Sequence, residues 1–144
     1  MSLHRFSILA TALLAALGLS ACTNFPGGPL AARDIIEETR ALEPDGRFEL
    51  ENVNGRITLR TWSQDEVRIE AERAATSEEA LDDIEIDIEG EGGEVRVRTR
   101  YPKGKSWFAG GHRGKVDYEV TVPRGVDVRL KTVNGHVDVE GLTG

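Results

Sequence analysis

The chain has a single cysteine, Cys22, which excludes an intramolecular disulfide. Basic residues are outnumbered: 18 Lys and Arg stand against 25 Asp and Glu, for a net charge of −7. A general nucleic-acid binder needs a basic surface, so nucleic acid is excluded as a partner. No apolar run reaches the roughly 20 residues of a membrane-spanning helix. The longest, Phe6 to Leu19, has fourteen. Nucleotide and nucleophile motifs are missing too, with no P-loop, no dinucleotide fingerprint and no Gly-x-Ser-x-Gly. No cofactor is implied. What the chain does have is glycine, 16 in 144 residues with few aromatics, which suits one domain of many short turns.

The first 21 residues read as an export signal, with Arg5 in the n-region and Phe6 to Leu19 as the apolar segment. Small residues then precede a cleavage point at Ala21-Cys22. Leu19-Ser20-Ala21-Cys22 resembles the lipobox of bacterial lipoproteins. That resemblance implies a diacylglycerol on the Cys22 thiol, removal of the signal, and acylation, for example by palmitate, of the new amino group. Two or more chains anchor stably, since each buried methylene contributes about 0.8 kcal/mol. An ordinary secretory signal with an incidental cysteine is the plainer alternative, but the only cysteine lies at the cleavage position. Thr23, rather than Asp, follows the cysteine, which implies sorting to the outer membrane. Without a disulfide, the exported domain must rest on strand pairing and apolar burial, or on a partner.

Thr23 to Leu30 is a tether broken by Pro26, Gly27, Gly28 and Pro29. The expected division is signal 1–21, lipidated linker 22–38 and a β domain 39–144. Ala31 to Leu42 could open as a short helix or a strand, and Pro44-Asp45-Gly46 reads as a turn. From Phe48 onward the period is two. Phe48/Leu50, Ile57/Leu59, Val67/Ile69/Ala71, Ile84/Ile86/Ile88, Val95/Val97, Tyr118/Val120/Val122, Val126/Val128/Leu130 and Val137/Val139 all alternate with polar residues. This predicts half-buried strands throughout. The one internal helix is a single turn at Ser77 to Leu81, capped by Ser77. A hairpin over Gly90-Glu91-Gly92-Gly93 would set Ile88 on Val95, Ile86 on Val97, Asp87 on Arg96 and Glu85 on Arg98. Both faces then agree, and each such pair contributes about 0.2–1 kcal/mol.

Two blocks match at an offset of 80 residues: FELENVNGRITLRT from Phe48 and VRLKTVNGHVDVEG from Val128. Asn54-Gly55 falls on Asn134-Gly135. Asn-Gly is a tight-turn signal. As hairpins, the blocks would set Leu50 against Leu59 and Leu130 against Val139. As solenoid corners, they would turn the chain onto a next rung. Parity leaves both open. These blocks, with Trp62, Tyr118 to Pro123 and Gly125, resemble an adhesin-like β-strand-repeat family of bacterial envelope proteins, a domain of unknown function. The resemblance covers Thr39 to Gly144. It implies an all-β, short solenoid-like stack of glycine-punctuated strands and hairpins, with a β-sandwich as the alternative, and it transfers no catalytic residue. Members carry more Val-Asn-Gly rungs than the two here. A stack needs about three repeats to bury a continuous core, so an open end would be a sticky edge unless another chain covers it.

The acid run Asp82 to Glu94 echoes a calcium loop but places Arg96 at the twelfth position, so no metal is expected there. His112 and His136 lack partners at zinc-ligand spacing. The segment Tyr101 to Lys115 is the odd one on an acidic domain. It brings Tyr101, Lys103, Lys105, Trp107, Phe108, Arg113 and Lys115 into one stretch free of acid. It is the candidate contact loop for lipid headgroups, glycan or an acidic partner; a plain hairpin connection is the alternative. The function expected is binding or scaffolding by a non-catalytic, lipid-anchored envelope domain, with a protein or glycan as ligand. Adhesion, a periplasmic envelope-stress or assembly role, and a polysaccharide-acting β-helix enzyme are the rivals.

Overall fold

A computed structural model describes residues 30–103 and 113–141. The protein is nearly all β, as the period-two pattern requires. Its strands are β1 (Ala32–Glu51), β2 (Ile57–Trp62), β3 (Glu66–Ala75), β4 (Glu85–Glu89), β5 (Gly92–Arg100), β6 (Gly114–Pro123), β7 (Asp127–Lys131) and β8 (Val137–Val139). One short helix, α1 (Glu78–Asp82), follows β3. The Ser77 hydroxyl caps it, accepting from the Ala80 N–H at 3.1 Å.

The strands form one open mixed sheet in the order β4-β5-β1-β3-β6-β2-β8, with β7 also paired to β1. β1 serves both halves. Residues 32–41 run antiparallel to β3. Residues 47–51 run parallel between β5 and β7. One core fills the space between the halves. Phe48, Leu50, Val95 and Val97 from one meet Ile57, Leu59, Ile69, Tyr118 and Val120 from the other. The Thr99 and Tyr118 hydroxyls, 2.7 Å apart, tie β5 to β6 inside it.

The structure departs from the sequence reading in three places and decides a fourth that it left open. The linker expected to run to residue 38 ends sooner, because β1 starts at Ala32, where alternation is masked by Ile35-Ile36 and Glu37-Glu38. Pro44-Asp45-Gly46 does not reverse the chain. It lies where the ladder shifts between Leu42 and Arg47 and β1 changes partner from β3 to β5. Proline has no N–H to give a ladder, so an irregularity is where a strand can hold it.

The β4–β5 hairpin pairs two residues away from the expected register: Glu85↔Arg100, Asp87↔Arg98, Ile88↔Val97 and Glu89↔Arg96. A slip of two leaves every side chain on its face and acid still against base, so charge could not choose between the registers. Pairing with β1 fixes β5 instead, through Phe48↔Val95 and Leu50↔Val97. Finally, the Asn-Gly turns are not hairpins. β7 lies parallel on β1 with Phe48↔Val128 and Leu50↔Leu130, and β8 lies parallel on β2 with Ile57↔Val137 and Leu59↔Val139. The 80-residue repeat is therefore a stacking period: residues 47–62 form a first solenoid-like rung and residues 127–139 a second.

Candidate functional site

The two Asn-Gly corners stack directly, and an Asn54↔Asn134 parallel bridge joins them. Their backbones interlock: the Asn134 N–H donates to the Val53 carbonyl at 2.7 Å, and the Gly55 N–H to the Asn134 carbonyl at 3.1 Å. The side chains form a ladder with a direction. The Asn54 amide nitrogen donates to the Gly114 carbonyl at 3.4 Å, which leaves its oxygen facing the second rung. There it accepts from the Asn134 amide nitrogen at 3.1 Å. The Asn134 side-chain oxygen is left at the open end, with no donor among the described residues.

Glycine is required at both corners by close approach. A Cβ on Gly55 would come within 2.0 Å of the Val116 carbonyl oxygen, and one on Gly135 within 1.9 Å of the Gly55 carbonyl oxygen. Gly55 also adopts φ +124°, a conformation that suits glycine. Behind the first corner, buried Asn52 donates to the Val116 carbonyl at 2.8 Å and accepts from the Val53 N–H at 2.9 Å.

The second rung has neighbours on one side alone among the described residues, since β7 pairs with β1 and β8 with β2. In a parallel ladder each residue directs its N–H and C=O to the same neighbour, and successive residues alternate. The His136 carbonyl, Glu140 N–H and Lys131 carbonyl all bond back to the first rung. Val128, Leu130, Val137 and Val139 must therefore turn their backbone groups outward. Their side chains sit at core-facing positions, yet Val137 is 37 % exposed and Val139 45 %; Val133 at the corner is 65 % exposed. Three of the four large exposed hydrophobic residues described thus belong to this one rung; Ile35 is the fourth. The remaining open edges look different. Residues 32–41 of β1 carry Arg33, Asp34, Glu37, Glu38 and Arg40, and β4 carries Glu85, Asp87 and Glu89. Charge of that kind discourages pairing with other strands.

The outward faces of the rungs match in sign. Arg47 meets Asp127 at 3.0 Å, Glu49 meets Arg129 at 3.8 Å, Arg56 meets Asp138 at 3.9 Å and Arg60 meets Glu140 at 3.3 Å. A groove of about 570 Å³ runs along the corner, lined by Arg56, Lys115, Asp117 and His136 among others. Its charges are engaged within the fold. Asp117 accepts from the Arg56 N–H at 2.8 Å and binds Lys115; His136 lies 3.1 Å from Asp138. Burial pushes the Asp117 carboxyl up, but the Lys115 and Arg56 bonds outweigh it and hold the group below the usual carboxylate range.

Of the residues singled out in the sequence, Asn54, Gly55, Asn134 and Gly135 come together, as a stack rather than as two separate turns. Ala21, Cys22, Lys105, Trp107, Phe108 and His112 lie outside the described residues. The base of the contact loop is visible, and it is held to the fold. The Tyr101 hydroxyl donates to the Gly114 carbonyl at 3.5 Å, and burial pushes its pKa up to about 12. The Arg113 N–H donates to the Thr76 hydroxyl at 3.4 Å, Lys115 is bound to Asp117, and Lys103 borders a hollow with Asp82 and Asp83. The acid run spans the end of α1, β4 and the start of β5, and on β4 Asp87 meets Arg100 at 2.7 Å. The site the sequence missed is the outward edge of Val128, Leu130, Val137 and Val139. Its signal was the repeat offset itself, which places the second block beside the first. No family model matches the chain, and no curated protein matches it.

Proposed function

We propose that this protein is a lipid-anchored module of the bacterial envelope, without catalytic activity, that holds another polypeptide by pairing with its open rung. The observation that carries this is the second rung: among the described residues its two parallel strand edges open outward together, with Val133 exposed at the corner between them and Val137 and Val139 exposed on β8. Strand addition to an exposed edge takes affinity from main-chain hydrogen bonds and selectivity from alternate side chains. The outward carboxylates near the corner support a non-catalytic reading, because they are engaged in ion pairs with arginines and lysine. The anchor rests on Leu19-Ser20-Ala21-Cys22, and Thr23 favours the outer membrane.

The test is made in cells producing the full chain. A photo-reactive residue at position 139 is expected to cross-link a second polypeptide, and the same residue at position 89, on the acidic edge, to give none. No product from position 139 would end the reading. Fractionation with Cys22→Ala is expected to release the protein from the membrane. Protease added to intact cells then separates the two settings. Cleavage places the domain on the surface, where adhesion follows; protection places it in the periplasm, where an assembly or stress role follows.

A further inference from the structure

We infer that the end of the domain where β1 begins is a lipid-headgroup surface, which lays Lys103, Arg113 and Lys131 on the anionic phosphates of the membrane that holds Cys22. This rests on the lipid anchor proposed above and adds a second, electrostatic contact to it.

The topology sorts the connections between strands into two ends. At the first, Ala32 opens β1 and pairs with Ala75, which pairs in turn with Gly114 at the start of β6. The Tyr101 hydroxyl and the Asn54 amide both donate to the Gly114 carbonyl, so the segments that leave β5 and β1 meet there as well. The Lys131 carbonyl accepts from the Asn52 N–H at 2.8 Å, which adds the end of β7. At the opposite end lie residues 43–46 of β1 and the turns at 63–65, 90–91 and 124–126.

Charge is divided between these ends. The far end exposes Glu43, Asp45, Asp65 and Glu91 against a single base, Arg124. The chain has four lysines, at 103, 105, 115 and 131. The three that are described all stand at the tether end, together with Arg113. Lys115 is bound to Asp117. Lys103, Arg113 and Lys131 are exposed and enter no ion pair with a described residue. This sets them apart from the outward arginines of the strands, such as Arg60, Arg96 and Arg98, which face carboxylates. The backbone beneath the cations is held. Besides the Tyr101 and Lys131 bonds, the Arg113 N–H donates to the Thr76 hydroxyl, and its carbonyl accepts from the Thr76 N–H at 3.0 Å. The acids of this end, Glu78, Glu79 and Asp82 among them, sit on α1, which connects β3 to β4. The cations stand at the ends of β5, β6 and β7 instead, so contact with phosphate tilts the domain onto that side and lifts α1.

The membrane is the occupant because the anchor delivers it. The ten residues from Cys22 to Ala31 reach at most about 33–36 Å. Residues 32–41 of β1 alone span about 33 Å. The reach thus matches the length of the domain, and the tether permits either end to touch the surface without choosing one. Charge chooses: anionic headgroups attract lysine and arginine within about a Debye length and repel the acidic far end.

The experiment uses the full chain, lipidated in cells and reconstituted into vesicles of phosphatidylcholine, alone or mixed with phosphatidylglycerol. A fluorophore is placed on Val133→Cys, beside the cations, or on Ser63→Cys, at the far end. Quenching by a nitroxide on the headgroups reads closeness to the surface. The ratio of quenching at position 133 to that at 63 is expected to rise at least threefold when phosphatidylglycerol is present. It should fall back in high salt, and in a variant combining Lys103→Glu, Arg113→Glu and Lys131→Glu; Arg124→Glu should leave it unchanged. The lipid and salt arms need no substitution among the cations, so misfolding of the triple variant cannot hide the result. A ratio indifferent to lipid charge, in a chain that floats with the vesicles, would overturn the inference and leave the anchor standing. A chain that does not float would overturn the anchor itself. Poly-glutamate binding by the Cys22→Ala chain through the three cations, with no response to phosphatidylglycerol, would assign this end to an acidic polypeptide and overturn the inference too.

Discussion

Among the described residues Tyr118 is the largest fully buried side chain, and its hydroxyl is satisfied by Thr99 across the core. Replacing it with Phe leaves the Thr99 hydroxyl buried without its partner, a loss of about 1–3 kcal/mol. Adding Thr99→Val removes the orphan, so the double variant should recover most of that stability in urea denaturation at pH 7. Burial pushes the Tyr118 pKa far above its ordinary value, and Tyr101 is raised as well. A group whose folded pKa is raised gives stability that is intact below the unfolded value, near 10, and lost as pH rises toward the folded one. These are the two tyrosines of the chain. Stability should fall above pH 10, and Tyr118→Phe should flatten that fall without abolishing it. Asp117 behaves in the opposite sense. Its pKa is lowered, so its contribution is present above about pH 4 and is lost as pH falls through the folded value. Asp117→Asn should lower stability at pH 7 and make the acid limb shallower; an unchanged acid limb would show that other carboxylates set it.

At the scale of elements, the second rung is the weakest part of the fold. β8 is three residues long and pairs with β2 alone among the described strands, and its valines remain partly in water. Gly135→Ala drives a methyl group into the Gly55 carbonyl, an overpacking strain of about 1–3 kcal/mol. The expected response is local. Amide exchange at Gly55, Ile57 and Asn134, whose N–H groups bond between the rungs or to the second corner, should quicken while that of β3 and β6 holds, since parts with few buried contacts open independently. Uniform acceleration would show that the rung is instead integral to the whole sheet. Period-two alternation makes nearly all of these strands legible in the sequence, together with the cap at Ser77 and the outward ion-paired faces. It cannot give register, because a slip of two residues preserves every face, nor tell a hairpin from a stacked corner, because both put Leu50 and Leu59 on the same side. It hides the start of β1, where Ile35-Ile36 and Glu37-Glu38 break the alternation. The candidate site is half legible. Asn54-Gly55 and Asn134-Gly135 stand out, but their stacking and the outward edge beyond them depend on parallel pairing across 80 residues, which no local pattern encodes.

For the molecule as a whole, the central fact is that one strand builds both halves. β1 lends residues 32–41 to one and residues 47–51 to the other, and the core between them is continuous. Neither half has a separate apolar interior to retain if the other opens, so the sheet should melt as one unit even though its last rung frays. Leu50 tests this from one side. It is fully buried in the half with β5 and β7, and Leu50→Ala should cost about 2–5 kcal/mol. Trp62 reports from the other side, at the end of β2, where its indole N–H donates to the Glu66 carbonyl at 2.8 Å. With Trp107 replaced by Phe so that one indole remains, Trp62 fluorescence should follow the same denaturation midpoint as far-ultraviolet dichroism, in the parent and in Leu50→Ala alike. Both probes should move together by the full cost of the substitution. If Trp62 kept its midpoint while the dichroism lost part of its amplitude earlier, the halves would be separable units and β1 a tether between them rather than their common spine.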